Sequence, residues 1–414
     1  MGLTDCFDHR YMKVKTWRVL WLVSALALCL VLKLSSTGRI IPAPSPVDPE
    51  TSHRYSVDCS AIYDMDPVEV GNALALRRRV PEERDDSLVN LTSNCHVFLK
   101  SRGYTDVCIS QEEKNFPLAY SLVVALYSPS NIFCIHYDRK SSEEFRAAME
   151  GLAQCLPNVM IATKRETVFY ASMSRLKADL HCMSDLLKSD VQWRYIINLC
   201  GQDFPLRTNM ELVSELTRLN GGNMLESSRP TQAKSQRFKY HHQIQDANFE
   251  HQKIPVRTDQ EKEPPPHGIE MFTGNAYFVL SREFVEYTQS SDVVRDFLAW
   301  SEDTYSPDEH FWATLARLPG VPGEIPRSQP DVTDLMSKTR LVKWSYLEKR
   351  LYPRCTGLHV RSVCIYGVGE MRWLLNYGHW FANKFDPKVD PIIIQCLEEH
   401  LQKKQNDWVT GSLL

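Results

Sequence analysis

Residues 131–152 read NIFCIHYDRKSSEEFRAAMEGL, and two periodicities follow one another inside them. Ile132 to Tyr137 is an apolar, β-rich run of buried-strand length. Asp138 ends it, and Ser141-Ser-Glu-Glu144 makes a capping-box start for an amphipathic helix carrying Phe145, Met149 and Leu152. A strand, a short loop and a helix in succession form the opening of a β–α–β unit.

The flanking sequence continues the alternation. Ser121–Val124 reads as a strand upstream and Val159–Ala162 as a short one downstream. Met173, Leu176, Leu180, Met183 and Leu187 recur at helical spacing as a core-facing stripe, and Tyr195–Leu199 reads as a buried strand before Gly201. Thr208-Asn-Met-Glu211 caps the next helix, and Ala276–Leu280 is a further strand. This order predicts an α/β fold of Rossmann type, a mostly parallel sheet with helices on both faces. Ligands of such sheets bind at the carboxyl ends of the strands, which directs attention to Asp138 and the Gly201–Pro205 loop.

The 414 residues carry 48 Lys and Arg against 51 Asp and Glu, so the formal net charge of −3 offers no global attraction for nucleic acid. An apolar content of 43% excludes a disordered chain. Twelve cysteines, none in a Cys-x-x-Cys pair, favour an oxidising compartment and disulfides over a zinc ribbon.

The N-terminus is consistent with that compartment. Val19–Leu32 is an uninterrupted apolar run; with Trp17 and Leu34 it approaches the roughly 17 residues a membrane helix needs. A cleaved signal peptide is the alternative, with Ser-Ser-Thr-Gly following Leu34. Arg10, Lys13, Lys15 and Arg18 precede the run and place its N-terminal side in the cytoplasm. Pro42, Pro44, Pro46 and Pro49 then stiffen a stalk, and Asn90-Leu-Thr is the chain's one glycosylation triplet. The expected organisation is a cytoplasmic tail over 1–18, a signal-anchor over 19–34, a lumenal stem over 35–90 and a catalytic domain over 91–414.

Two places carry chemistry. Asp138 could accept hydrogen bonds from a nucleotide, or simply form a turn. The only Asp-x-Asp is Asp64-Met-Asp66, near the stalk, where solvated surface explains it better than a metal site. A departing diphosphate would therefore have to be met by side-chain cations or by a metal bound in a way the sequence does not advertise. Asp303–Arg317, DTYSPDEHFWATLAR, is the densest stretch in reactive types. Ser306-Pro-Asp-Glu309 fits a helix start, which accounts for Glu309 structurally, yet a carboxylate fixed at a helix N-terminus also suits a general base.

Six strings, NLCGQDFPLRTN, TGNAYFVLSREFV, DTYSPDEHFWATL, LVKW, HVRSVCIYG and HWFANKFD, are similar to those of the core 2 β-1,6-N-acetylglucosaminyltransferases (glycosyltransferase family 14), within it the type 4 subgroup. The resemblance runs from about Val57 to Trp408. It implies a GT-A-like fold in a single-pass type II Golgi membrane protein. It implies inverting, metal-independent transfer of GlcNAc from UDP-GlcNAc to mucin-type O-glycan acceptors, with no cofactor. Glu309 matches the family's base; Arg361 and Lys384 match the cations that bind the diphosphate. Val123, Val124, Asp138, Lys140 and Tyr170 fall on donor positions, and Glu226, Lys234, Arg237, Trp344 and Tyr346 on acceptor positions. From the residues alone, Lys234 and Arg237 read as solvated surface.

The resemblance also pairs Cys59 with Cys396, Cys95 with Cys155, Cys134 with Cys182, and Cys355 with Cys364. Cys200 matches a free thiol, and Cys108, with no family counterpart, is free or available for a dimer. One departure stands out. The family strand matching Ser121–Val124 leads into a His and a helix, whereas here Val124 runs directly into Ala125. Parallel strands need a crossover of about a dozen residues, so the first crossover helix is expected to be missing near 124–125. The alternatives to core 2 branching are an inactive or folding-impaired sugar-binding form and I-branching of poly-N-acetyllactosamine.

Overall fold

The computed structural model describes residues 27–32, 55–79, 85–101, 118–128, 130–246, 253–326 and 337–411. Its centre is a six-stranded sheet of β1 (Ala27–Leu32), β2 (Asn131–His136), β3 (Val159–Ile161), β4 (Tyr195–Cys200), β5 (Met224–Leu225) and β6 (Phe278–Ser281), in the spatial order β3-β2-β1-β4-β6-β5. β3 runs parallel to β2; β1 is antiparallel to both β2 and β4, so β2 and β4 share a direction. β6 is antiparallel to β4 and to β5. The parallel expectation therefore holds for β2, β3, β4 and β5, while β1 and β6 run against them.

One expectation is corrected here. Ser121–Val124 is not a strand: the segment lies inside the helix Leu118–Leu126 (LAYSLVVAL), seven of whose nine residues are buried. An uninterrupted apolar run gives no periodicity to separate a buried strand from a buried helix, and here every flank of the helix meets core. The sheet position between β2 and β4 is taken instead by Ala27–Leu32, from the run read as a membrane anchor. No helix among the described residues is long and apolar enough to cross a membrane. The rest of the tail and anchor, the proline stalk, Cys6 and Cys108 lie outside the described residues.

Helices cover both faces of the sheet, as alternation predicts. On one, Glu143–Cys155, Leu118–Leu126 and Asn209–Leu219 enclose a core with Phe133, Ile135, Ile197 and Leu199. On the other, Met173–Leu187, Arg282–Ser290, Asp292–Trp300 and Phe311–Leu315 pack on Ile132, Cys134, Ile196 and Leu280. The caps follow the sequence closely: Ser142 caps Glu143–Cys155, and Thr208 with Glu211 forms the complete capping box. Gly151 lets this layer close up, since a Cβ there would fall 2.1 Å from Thr92 Oγ1.

A third core ties the residues before Asn90 to the C-terminus. Ile62 and Ala73, on helices Cys59–Tyr63 and Pro67–Leu76 of the expected stem, are fully buried with Leu374, Ile393 and Leu397. Arg77 bridges Asp390 at 3.0 Å, and Tyr55 exchanges hydrogen bonds with Gln395. The four expected disulfides are all formed, with Cα separations of 4.8 to 5.8 Å. Asp66 of the Asp-x-Asp caps Pro67–Leu76 through the amides of Val68 and Glu69.

Candidate active site

Because β2 and β3 are parallel, their carboxyl ends open onto the same edge, and the loops 137–142 and 162–172 lie side by side. Asp138 is buried and does form a turn: its carboxylate accepts the Lys140 amide at 2.9 Å. The other oxygen lies 3.5 Å from the Lys140 ammonium, which also donates to the Val168 carbonyl at 2.7 Å and sits over the Phe169 ring. The next residue, Tyr170, is 57% exposed.

The Asp303–Arg317 segment crosses this edge. Its Ser306 amide bonds the Ala171 carbonyl at 2.8 Å, which pins the 3₁₀ turn Pro307–Glu309 against the Tyr170 loop. Ser306 has φ 47° and makes no side-chain cap, so the expected helix start is only a single turn. The Glu309 carboxylate is instead paired with the Arg237 guanidinium on helix Gln232–Lys239. Arg237 also lies 5.6 Å over the Tyr305 ring, Tyr305 neighbours Tyr170, and the Arg361 guanidinium stands 5.1 Å over Tyr170. A continuous series of contacts thus runs from Arg361 through two tyrosines to Arg237 and Glu309.

Arg361 is presented by a tight hairpin. Strands Leu358–Val360 and Val363–Ile365 pair antiparallel, and the two linking residues, Arg361 and Ser362, have φ of 49° and 66°. Both central residues at positive φ define the I′ geometry that glycine or asparagine usually supplies, so an arginine and a serine hold strain at this turn. Where the hairpin ends, the Tyr366 amide bonds the Lys384 carbonyl at 2.9 Å. Lys384 follows the strand Phe381–Asn383, which pairs with Asp203–Pro205 beyond the carboxyl end of β4. Neither Arg361 nor Lys384 has an ion-pair partner among the described residues.

The expected acceptor residues divide into two groups. Gly274 donates its amide to the Glu309 carbonyl at 2.8 Å, and a Cβ at Gly274 would lie 2.0 Å from the Glu226 carbonyl oxygen. Glu226 accepts from Asn275 at 3.0 Å, so this carboxylate is brought beside the Glu309 turn. Lys234 occupies the first turn of the Arg237 helix, half-buried. Trp344 and Tyr346 stack with ring centroids 5.6 Å apart, and Trp344 bridges Val363 of the hairpin. Tyr346 is 64% exposed, offering an aromatic face on the Arg361 side.

Val123 and Val124 do not join the site: both lie on Leu118–Leu126, Val123 in the core and Val124 packed against it. Asn90 is exposed on the helix Asp85–Thr92, while Thr92 of its triplet is buried with its hydroxyl on the Leu88 carbonyl. Cys200 is free, and burial pushes its thiol up to about 12. Both potential metal-ligand groups among the described residues, Glu348–Cys355–His359 and Cys355–Cys364–Glu370, rely on sulfur committed to the Cys355–Cys364 bridge.

Sequence reading passed over the groups beneath Glu309. Asp308 is buried, and burial, with Glu309 and Asp179 adding, raises its carboxyl to about 7 although Arg175 opposes the shift. Arg175 bonds Asp179 at 2.9 Å on the helix below. His310, buried against Phe238, is held down to about 3 by burial. Asp308 and His310 were visible as reactive types; their burial is a tertiary property with no local signature.

An α/β sheet whose carboxyl edge carries an oriented carboxylate, aromatic faces and unpaired cations has the parts of a group-transfer enzyme acting on sugars. A family model described as "Core-2/I-Branching enzyme" matches residues 109–375. The chain is 58% identical over 375 residues to the β-1,3-galactosyl-O-glycosyl-glycoprotein β-1,6-N-acetylglucosaminyltransferase 4 of Danio rerio, covering 87% of this chain and 86% of that one. It is 53% identical over 418 residues to the protein of the same name from Mus musculus (95% and 92% covered), and 43% identical over 377 residues to the type 3 protein of Rattus norvegicus (86% and 85%). The chain belongs to the core-2/I-branching family of glycosyltransferases.

Proposed function

We propose that the protein transfers GlcNAc from UDP-GlcNAc, in β-1,6 linkage and with inversion, to the GalNAc of Galβ1,3GalNAc on mucin-type O-glycans, without a metal. The observation that supports this reading is the contact series from Arg361 to Glu309, which links the residue proposed to bind the diphosphate with the proposed base. The Glu309 carboxylate takes the proton of the acceptor 6-hydroxyl as that oxygen bonds to the anomeric carbon. The bond from that carbon to the diphosphate oxygen breaks on the opposite side, and UDP leaves with the electron pair. Arg361 and Lys384 receive the charge that develops there; fixed cations aimed at developing charge favour the transition state over the ground state. Asp138, Lys140 and Tyr170 line the nucleotide side, and Glu226, Lys234, Arg237, Trp344 and Tyr346 orient the acceptor.

The four disulfides support a lumenal, Golgi setting. The decisive assay is transfer from UDP-GlcNAc to a Galβ1,3GalNAc acceptor in EDTA, with Glu309→Gln alongside. The wild type should transfer and the Gln variant should fold normally but lose at least 100-fold in rate. No transfer by folded wild type would favour the inactive form, and preference for a linear lactosamine acceptor would favour I-branching.

A further inference from the structure

We propose that Asp308 is a positioning residue for the Glu309 base, tying the underside of the Pro307–Glu309 turn to the helix Met173–Leu187 through the charge of Arg175. The inference rests on the reading of Glu309 as the base and adds the group that aims it. The turn and the helix pack together, and Arg175, largely buried, serves two carboxyls. It bonds Asp179 at 2.9 Å, and its charge also acts on Asp308. Both acids are buried, and Oδ1 of each has no hydrogen-bond partner. An interior built for stability alone would pair these oxygens or replace the acids.

Strain gathers at the same point. Ser306 (φ 47°) and Ala171 (φ 55°) both hold the left-handed backbone that side chains disfavour, and the Ser306 amide bonds the Ala171 carbonyl at 2.8 Å. Ala171 follows Tyr170 on the donor side; Ser306 opens the Glu309 turn. Of the eight non-glycine residues with positive φ among the described residues, Ala171, Ser306, Arg361 and Ser362 lie at this one edge, so the strain is not spread evenly over the fold. Strained backbone and unsatisfied buried groups persist together where a site needs a fixed geometry. What they fix here is the direction of one side chain. On a turn of three residues, held by the Glu309 amide on the Ser306 carbonyl at 3.0 Å, Asp308 goes inward and Glu309 stays 34% exposed beside Arg237. Asp308 fastens the turn when ionised, because only its charge is drawn to Arg175. Burial opposes that charge, with Glu309 on its own turn and Asp179 on the helix adding, so the change falls near pH 7.

The test is Asp308→Asn in the full chain, assayed for transfer from UDP-GlcNAc to Galβ1,3GalNAc and for urea unfolding between pH 5.5 and 8, with Glu309→Gln beside it. Asparagine keeps the shape and loses the charge. At pH 8 kcat should fall at least tenfold, with donor and acceptor KM changed less than threefold and the urea midpoint raised. At pH 5.5, where the wild-type acid is itself protonated, the two rates should agree within twofold. A merely structural Asp308 would lower stability and rate together at every pH. Unchanged kcat at pH 8, a tenfold loss that persists at pH 5.5, or a lowered midpoint overturns the inference. An active Glu309→Gln removes Glu309 as base and the positioning role with it; an inactive one beside a fully active Asp308→Asn overturns the positioning alone.

Discussion

Asp308→Asn should stabilise the protein at neutral pH and leave it unchanged in acid. The side chain is buried directly under the Glu309 turn, one of its oxygens has no hydrogen-bond partner, and its carboxyl is raised from 3.8 to about 7. An acid with a raised folded-state value holds its proton longer in the folded chain than in the unfolded one. Its contribution is therefore neutral below about pH 4, and stability is lost progressively as pH climbs to about 7, then remains at the lower level. The gap of about 3 units, at 1.36 kcal/mol each, sets an upper bound of about 4 kcal/mol; relaxation around the charge reduces this to about 2–4 kcal/mol. Asparagine mimics the protonated acid and keeps no charge, so it should recover that amount. Two buried histidines act in the opposite sense. His310 and His136 are lowered by burial to about 3 and about 4, so they favour the folded state above about pH 6.5 and cost stability as pH falls. They are common to both proteins, and the difference between variant and wild type isolates Asp308. Urea unfolding at pH 4, 5, 6, 7 and 8 would read this difference directly: near zero at pH 4 and growing to its full value by pH 7. Parallel curves, or a gain already present at pH 4, would refute the assignment of a buried, destabilising charge.

Removing the Cys59–Cys396 bridge by paired Ser substitution frees a loop with a sequence separation of 337 and should cost up to about 5 kcal/mol, measured as a fall in urea midpoint under oxidising conditions. Gly274→Ala forces a methyl group against the Glu226 backbone and should cost about 1–3 kcal/mol while raising the acceptor KM more than the donor KM; equal effects on both would argue against Glu226 as an acceptor contact. Ser362→Gly relieves the left-handed strain at φ 66° and should change stability by no more than about 1 kcal/mol in the favourable direction with transfer intact, whereas Arg361→Gly should abolish transfer; a thermal melt with a rate measurement separates the two.

Much of this architecture is legible in the sequence because local signals and tertiary outcome agree. Ser142 and Thr208 cap the helices their patterns announce, and β2, β3 and β4 begin within a residue of the runs that predict them. The site is less legible for a physical reason. Glu309 stands in a stretch dense with reactive types, but its partner Arg237 is 72 residues away, on a helix whose composition reads as surface. The link between them passes through Tyr305 and Tyr170, aromatic residues whose roles depend entirely on which loops the sheet edge brings together. Asp308 was read as part of a helix start, and only the packing of the helix Met173–Leu187 beneath it turns it into a buried charge.

Ser121–Val124, expected as a strand and found in a helix, and Ala27–Leu32 meet the same limitation of a sequence reading. Each is an uninterrupted apolar run, and hydrophobicity alone states only that it leaves water. What decides its form is where its backbone groups find partners. Leu118–Leu126 satisfies them internally as a helix over one sheet face; Ala27–Leu32 can satisfy them through two strand edges that are otherwise vacant. With both placements together the sheet is continuous and its faces are covered, despite the junction at Val124–Ala125.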